Sequence, residues 1–561
     1  MNLNMKYLIK TQALILGLLL MVGLGSSCTK DFEEMNKNPN SPVDVPAINI
    51  FTNAVVNSIS RQLGGWMQHT YLGNWSQQWC KIQYIDEDKY MPRDMSGEFN
   101  APFTSELKNL QIVIDKATES GDDRLLAAAK VMRAWVFLYI TDTWGAIPYS
   151  ESIQGLYADG IMTPKYDTQE SIYQDLFAEL EEANVLLTGT TLNFGGGDIL
   201  YGGDPVLWRK FANSLKLRIL NRAAGTPWSF TYNMAGGGTV TTAAGPARMT
   251  DADTKMAAIL ANPTQYPVFT SNADNAELAW PGIPYRNPIY NTLFARKDQA
   301  ISETMVDWLK ARNDPRIHIY AAPTLNSVAA GTPDYVGFQN GRGITAAIFP
   351  QVSMLGTQIA FIEGATSKVM TFDEVQFLKA EHYLRTNQDV NAQNAYVAGV
   401  AASMARWGLN DGGTVNPSWG FAGDITVGAT AYPVSYTTYL SNPLVAWSGT
   451  TAQKFQKVCE QKWASIFGQG IEAYTEVRRT GFPARIFEYE LEGSFYPNLG
   501  LPIRVQYALS EQTYNTDNLS AAQTAEKIEQ INEGMFSTNG IQSQVWWNTR
   551  KNPIPTVTDV K

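Results

Sequence analysis

Asp122-Asp-Arg-Leu-Leu-Ala-Ala-Ala-Lys-Val-Met-Arg-Ala-Trp-Val-Phe-Leu-Tyr-Ile-Thr141 is the stretch that decides the fold class. Its apolar residues Leu125, Leu126, Ala129, Met132, Val136, Phe137 and Ile140 recur at steps of three and four, which puts one stripe of an α-helix against a core. Ser171–Leu187 repeats the pattern through Ile172, Leu176, Phe177, Leu180, Ala183 and Leu187. Further along, Asp204 reads as an N-cap and Pro205 as the first helical residue, ahead of Trp208, Phe211, Ala212, Leu215 and Ile219. Thr371-Phe-Asp-Glu374, Thr450-Thr-Ala-Gln453 and Ser520-Ala-Ala-Gln523 fit the capping-box pattern before helical runs.

These helices fall into neighbouring pairs: 105–120 with 122–141, 371–386 with 391–407, and 450–468 with 471–479. The expected fold is therefore mostly α, with tetratricopeptide-like helical hairpins forming a solenoid-like body, although no clean 34-residue repeat occurs. Long charge-poor segments rich in Gly, Thr, Pro and aromatics (226–249, 320–370 and 410–449) separate the helices. Loops of that length are unusual unless functional, so these are expected to hold minor short strands and to carry any site.

Across 561 residues, 43 Lys+Arg oppose 53 Asp+Glu, giving a net charge of −10 with no long basic run. Nucleic acid is thereby excluded as a partner, because phosphate contacts need clustered cations. The three histidines and three cysteines are too scattered for a metal-site spacing, and no cofactor motif is present in its required context. Gly468-Gln-Gly-Ile-Glu-Ala473 formally fits a dinucleotide fingerprint but follows a helix instead of a strand, so it reads as a tight helix–helix turn.

Lys6 and Lys10 precede an apolar run from Ala13 to Leu24, too short to span a bilayer but suited to a signal peptide. Gly25, Ser26 and Ser27 then lead to Cys28, the acceptor expected of a bacterial lipoprotein, where acyl chains such as palmitate would be attached. Leu24 lies four residues before the cysteine, one more than usual, and an ordinary signal peptide cut after a small residue is the alternative. The expected division is a leader over 1–27, a lipidated tether over 28–47 and one helical body over 48–561. Cys80 and Cys459 read as small buried residues.

The aromatics carry the functional signal. Trp135, Trp208, Trp308, Trp407 and Trp463 lie on helical stripes and read as core. Trp75, Trp79, Trp280, Trp419 and Trp447 lie in loop-like sequence beside amides, tyrosines and prolines. Sugar rings offer apolar C–H faces to aromatic rings and hydroxyls to amides, so these positions together favour a carbohydrate ligand. Arg478-Arg479 reads as structural: it ends a helix whose dipole it complements, ahead of Gly481.

The chain resembles the SusD/RagB-like nutrient-binding outer-membrane lipoproteins, in the branch with a SusD-like second profile. The resemblance rests on Cys28-Thr-Lys-Asp-Phe-Glu-Glu-Met-Asn-Lys-Asn-Pro-Asn40, Thr143-Trp-Gly-Ala-Ile-Pro-Tyr149, Gly203-Asp-Pro-Val-Leu-Trp-Arg-Lys-Phe-Ala-Asn-Ser-Leu-Lys-Leu-Arg218 and Asn313-Asp-Pro-Arg316. It continues through Phe372-Asp-Glu-Val-Gln-Phe-Leu-Lys-Ala-Glu381, Gln461-Lys-Trp-Ala464, Arg478-Arg-Thr-Gly-Phe-Pro483, Leu501-Pro-Ile-Arg504 and Trp546-Trp-Asn548. It implies a lipid-anchored, cell-surface protein of the outer membrane that catalyses nothing. As its partner it implies a SusC/RagA-like TonB-dependent transporter, over which the protein acts as a lid.

The ligand so implied is an oligosaccharide or, in some members, a peptide; a surface α-helical glycoside hydrolase is the rival reading. In this family the site draws on loops near the start of the body and on mid-chain insertions. Here those are Trp75, Trp79 and Tyr84, then Trp280, Tyr285, Arg286, Asn287 and Tyr290, with Trp419 and Trp447 as a weaker third choice.

Overall fold

The computed structural model describes residues 45–548, apart from 158, 234–238, 243, 422, 489–493, 496–499, 529, 534–535, 540 and 542. Cys28, the leader and nearly all of the tether lie outside the described residues. α1 (Ala47–Gly64), α2 (Lys108–Ser120), α3 (Asp123–Trp144), α4 (Gln169–Leu186) and α5 (Pro205–Ala223) each pack on the next. α2 and α3 make a tight hairpin at Gly121, whose φ of 69° is open to glycine at little cost. α2 is preceded by a π-helical turn, Pro102–Leu107, so the α-helix begins three residues later than the sequence pattern predicts.

The caps at Asp122 and Asp204 form as expected: Asp122 accepts from Leu125 N, and Asp204 from Val206 N and Leu207 N behind Pro205. α6 (Pro288–Arg296) packs on α1, where a Cβ at Gly64 would overlap the Pro288 ring. α7 (Phe372–Arg385) and α8 (Asp389–Arg406) form a second hairpin, and α7 also packs on α5 and on α9 (Thr451–Ser465). α10 (Gly470–Thr480) follows α9 and returns to α1 and to the π-helical turn Met67–Leu72, bringing a late helix against the first. The fold is thus mostly helical, built of tetratricopeptide-like hairpins.

Two of the three capping boxes need correction. Thr450 and Gln453 form theirs reciprocally. Thr371 caps nothing; the orphan N–H of Phe372 donates instead to the Asn275 side chain at 2.7 Å. Ser520–Gln523 lies inside the helix Thr516–Ala525.

The charge-poor segments do carry short strands, all in two-stranded pairs among the described residues. β1 (Trp79–Lys81) and β3 (Gln299–Ile301) pair antiparallel, with Cys80 opposite Ala300. β2 (Ala276–Leu278) and β4 (Ser367–Met370) pair through a bulge after Ala276. Cys80 and Cys459 are buried and unbridged. Among the described residues no helix is long and apolar enough to cross a membrane.

Arg478 and Arg479 are structural, but for another reason than the helix dipole. Both are buried in a charged layer where α3, α5, α7, α9 and α10 meet. Arg218 grips Glu374 with two bonds of 2.7 Å, and Arg222 bridges Asp142 and Glu472. Arg479 reaches Glu381 at 2.8 Å and Glu476 at 2.6 Å, while Lys462 lies 3.2 Å from Glu476. Burial pushes the Glu476 carboxyl up, yet Arg479 and Lys462 outweigh it and hold the group well below the usual carboxylate range.

Removing one partner of such a buried pair leaves an uncompensated charge and costs about 3–5 kcal/mol. Arg222→Met is therefore expected to lower the unfolding free energy by that amount in urea titrations. Lys310→Met, which removes an exposed pair with Asp334, should change it by no more than about 1 kcal/mol.

Candidate functional site

α6 starts at Asn287, whose Oδ1 accepts from Ile289 N at 2.8 Å and Tyr290 N at 3.2 Å, with Pro288 at the first helical position. The Asn287 amide nitrogen donates to Ala365 O at 2.8 Å, so both ends of this side chain are occupied inside the protein. Before it, Glu363 holds the turn 282–286: its Oε1 accepts from Ile283 N at 2.7 Å and lies 3.2 Å from Arg286 Nε. Gly282 sits here at φ 90°, with the Glu363 carboxylate close over the position a Cβ would take. The turn presents Ile283 and Tyr285 to solvent, Tyr285 at 60% exposure.

Aromatics and cations lie side by side along the helix and at its two ends. The Arg286 guanidinium lies 5.7 Å over the Tyr290 ring, which stacks at 5.1 Å on the exposed ring of Phe294. Arg296 lies 5.5 Å over Tyr84, itself 70% exposed, and is anchored to Asp298 at 2.9 Å. Lys297, which ends the helix at φ 49°, sits 4.1 Å over Phe421. Cations so placed lie within reach of the ring quadrupoles and keep donors beside aromatic surface. The arrangement offers stacking faces flanked by hydrogen-bond donors, the complement of a sugar's C–H faces and hydroxyls.

Of the positions expected from sequence, the structure gathers Tyr84, Tyr285, Arg286 and Tyr290 along this helix, although Tyr290 is largely covered by its neighbours. It withdraws Trp75, Trp79 and Trp280 as platforms, because all three rings are buried. Trp75 is wedged edge-on among Tyr71, Tyr90 and Tyr474 and donates to Glu87 O at 2.9 Å. Trp79 lies against Phe467 and donates to His69 O at 2.8 Å; Gly73 exists without a side chain because this ring fills its place. Trp280 donates to Ser367 Oγ at 2.9 Å.

Trp419 is half-buried against a small second core of Cys80, Ala300, Met354 and neighbours. Trp447 is half-buried on Tyr396 with Lys454 over it, and makes no ring contact with the α6 row among the described residues. Asn287 is a cap, not a free hydroxyl ligand. Phe294, Arg296, Lys297 and Phe421 were not expected from sequence. The signal for the first was present, since Tyr290 and Phe294 are spaced four apart, on one helical face.

One concavity borders this face. A cavity of about 200 Å³ is walled by Asn287 and Ile289 of α6, Ile362, Lys368 of β4, Arg406 and Trp407 at the end of α8, and Gln469. A larger groove of about 490 Å³ lies elsewhere, between Phe99, Phe103, Pro148, Ile153, Leu156, Ile161 and Met162. Its walls also carry Asn100, Thr104, Lys108, Ser152 and Glu511, and include none of the expected site residues.

The sequence matches the profile of a family described as SusD-like, starch-binding and associating with the outer membrane, over residues 39–232 and 245–508. No curated protein matches it significantly. Among solved structures, a SusD homologue from Bacteroides fragilis superposes with a TM-score of 0.68 at 21% identity, covering 90% of this chain and 99% of that one. A SusD homologue from Bacteroides ovatus gives 0.66 at 22% identity over 90% and 99% of the respective chains. A chitin-binding SusD homologue from Flavobacterium johnsoniae gives 0.66 at 22% identity over 90% and 97%. The class defined by the fold is thus that of SusD homologues. The chain belongs to the SusD-like family.

Core and surface aromatics should separate by stability. Trp79→Ala and Trp280→Ala each remove a buried indole and are expected to cost about 3–5 kcal/mol. Tyr84→Ala and Tyr285→Ala should stay within about 0.5 kcal/mol of the parent in the same urea titrations.

Proposed function

We propose that the protein is a surface lipoprotein of the outer membrane that captures a glycan and hands it to a SusC-like TonB-dependent transporter, without chemical turnover. The observation that carries this reading is the row of exposed aromatics and flanking cations along α6 and the turn before it, held in place by the Asn287 cap and the Glu363 clasp. The family description as starch-binding and outer-membrane-associated supports it, as does the chitin-binding relative. Tyr84, Tyr285 and Phe294 stack on sugar faces, and Arg286 and Arg296 bond hydroxyls.

Calorimetric titration with starch and chitin oligosaccharides tests the site. A true stacking platform contributes at least about 2 kcal/mol, so Tyr285→Ala or Tyr84→Ala should weaken binding roughly 30-fold with the fold intact. Unchanged affinity in both variants moves the site elsewhere. Recovery of the intact oligosaccharide separates binder from hydrolase: turnover near or above ~1 s⁻¹, abolished by replacing one carboxylate, would establish the rival enzyme.

The anchor has its own test. Acylation at Cys28 supplies ~0.8 kcal/mol per buried CH₂, so Cys28→Ala should release the protein from the membrane or leave its leader unprocessed. Retention of the variant through a high-salt wash would refute the anchor.

A further inference from the structure

The cavity behind α6 has a one-sided charge. Its walls hold Lys368 and Arg406 and three side-chain amides, Asn287, Gln358 and Gln469, but no Asp or Glu, in a chain whose net charge is −10. The Lys368 ammonium lies 3.9 Å from the centre of the Trp407 ring and makes no ion pair among the described residues; its one oxygen contact is Thr366 O at a long 3.5 Å. The Arg406 side chain is 3% exposed, with Nη2 bonded to Asp373 at 3.0 Å and to Ser465 O at 2.6 Å.

Its Nε and Nη1 find no acceptor among the described residues, and neither do Trp407 Nε1 and Gln469 Nε2. The fully buried unpaired side-chain atoms in these walls are thus all donors among the described residues. Buried donors are almost always matched by acceptors, and among the described residues no acceptor meets these four. A volume of about 200 Å³ is far above the ~10–15 Å³ one water requires, so a group the size of a sugar ring has room.

We infer that this pocket binds a carboxylate, carried by an acidic sugar or by another small organic acid. The carboxylate oxygens accept from Lys368 Nζ and from the Arg406 and Gln469 nitrogens, a charge-assisted pairing stronger than a hydroxyl would make. Only the preference for a sugar rests on the glycan reading above; the carboxylate chemistry stands on the donors alone. Burial, with Arg406 nearby, holds the Lys368 ammonium down to about 7, against the opposing pull of Glu277 on the paired strand and of Asp373 at the start of α7. Binding should therefore weaken as the lysine loses its proton.

The test is calorimetry on the full chain in detergent, with glucuronate, galacturonate and acetate against glucose and galactose, at pH 6 and pH 8.5. The uronates should bind at least 10-fold tighter than their neutral counterparts at pH 6, and lose about 10-fold by pH 8.5. Lys368→Gln should remove both effects, whereas Lys368→Arg, which keeps its charge, should retain the preference and flatten the pH profile. Acetate matching the uronates would support a site for organic acids in general; uronates well ahead of acetate would support an acidic sugar.

Equal binding of charged and neutral sugars, no binding of any carboxylate, or a pH profile surviving in Lys368→Gln would each overturn the inference. Starch or chitin oligosaccharide binding retained in Lys368→Gln shows that the outer aromatic row stands whatever happens in the pocket.

Discussion

The buried charged layer is the constraint on which the rest of the body depends. Asp142, Glu374, Glu381, Glu472 and Glu476 face Arg218, Arg222, Lys462, Arg478 and Arg479 at the meeting of helices far apart in sequence. Desolvating so many charges is expensive, and a buried pair is not by itself a source of stability. Its effect is on geometry: every carboxylate needs its particular guanidinium, so the helices can meet in one register and not in a neighbouring one. Asp142 shows the tightness of this coupling. Its side chain takes Arg222, Tyr173 and Trp547, and its carbonyl takes Arg478 at 2.8 Å, so several separate segments converge on one residue.

A second layer of polarity fastens the segment 68–81. Gln68 donates to Gly468 O at 2.7 Å and accepts from Ile471 N at 3.0 Å; Gln78 donates to Trp463 O at 3.0 Å and accepts from Gly468 N at 3.2 Å. Asn340 donates to Asn74 O and Trp79 O, both at 3.0 Å. The turn between α9 and α10 leaves backbone groups that neither helix pairs, and the buried amides of Gln68 and Gln78 satisfy them. Gly470 belongs to the same seam, since a Cβ there would lie 2.5 Å from the Gly73 backbone; the sequence Gly468-Gln-Gly470 is a close-approach turn.

That seam explains what was and was not legible in the sequence. Helices, their order and the caps at Asp122, Asp204 and Thr450 follow from local spacing and from the chemistry of one turn, so they can be read directly. The charged layer could not be, because Arg478 and Arg479 look like any basic helix end until Glu381, nearly a hundred residues earlier, is placed beside them. The site was half legible. Amides next to Trp75 and Trp79 suggested solvent, whereas they are the buried fasteners of the segment, and the indoles go inside with them. The aromatics exposed around α6 are those whose neighbours include cations and a turn: Tyr84, Tyr285 and Phe294.

The two kinds of aromatic follow from one requirement. A ligand surface made of long, mobile loops would lose much of its binding energy in ordering them. Here the loops are held from within, by indoles and amides turned towards the core, and the face left outside rides on a short helix. The Asn287 side chain bonds two helical N–H groups and the loop at Ala365, and Glu363 bonds the turn at Ile283 and pairs with Arg286, so a few polar contacts fix Tyr285 and Arg286 relative to Phe294 and Arg296. The tryptophans that hold the insertions in the core and the tyrosines those insertions display are thus parts of one arrangement: the first must be buried for the second to be presented in fixed positions.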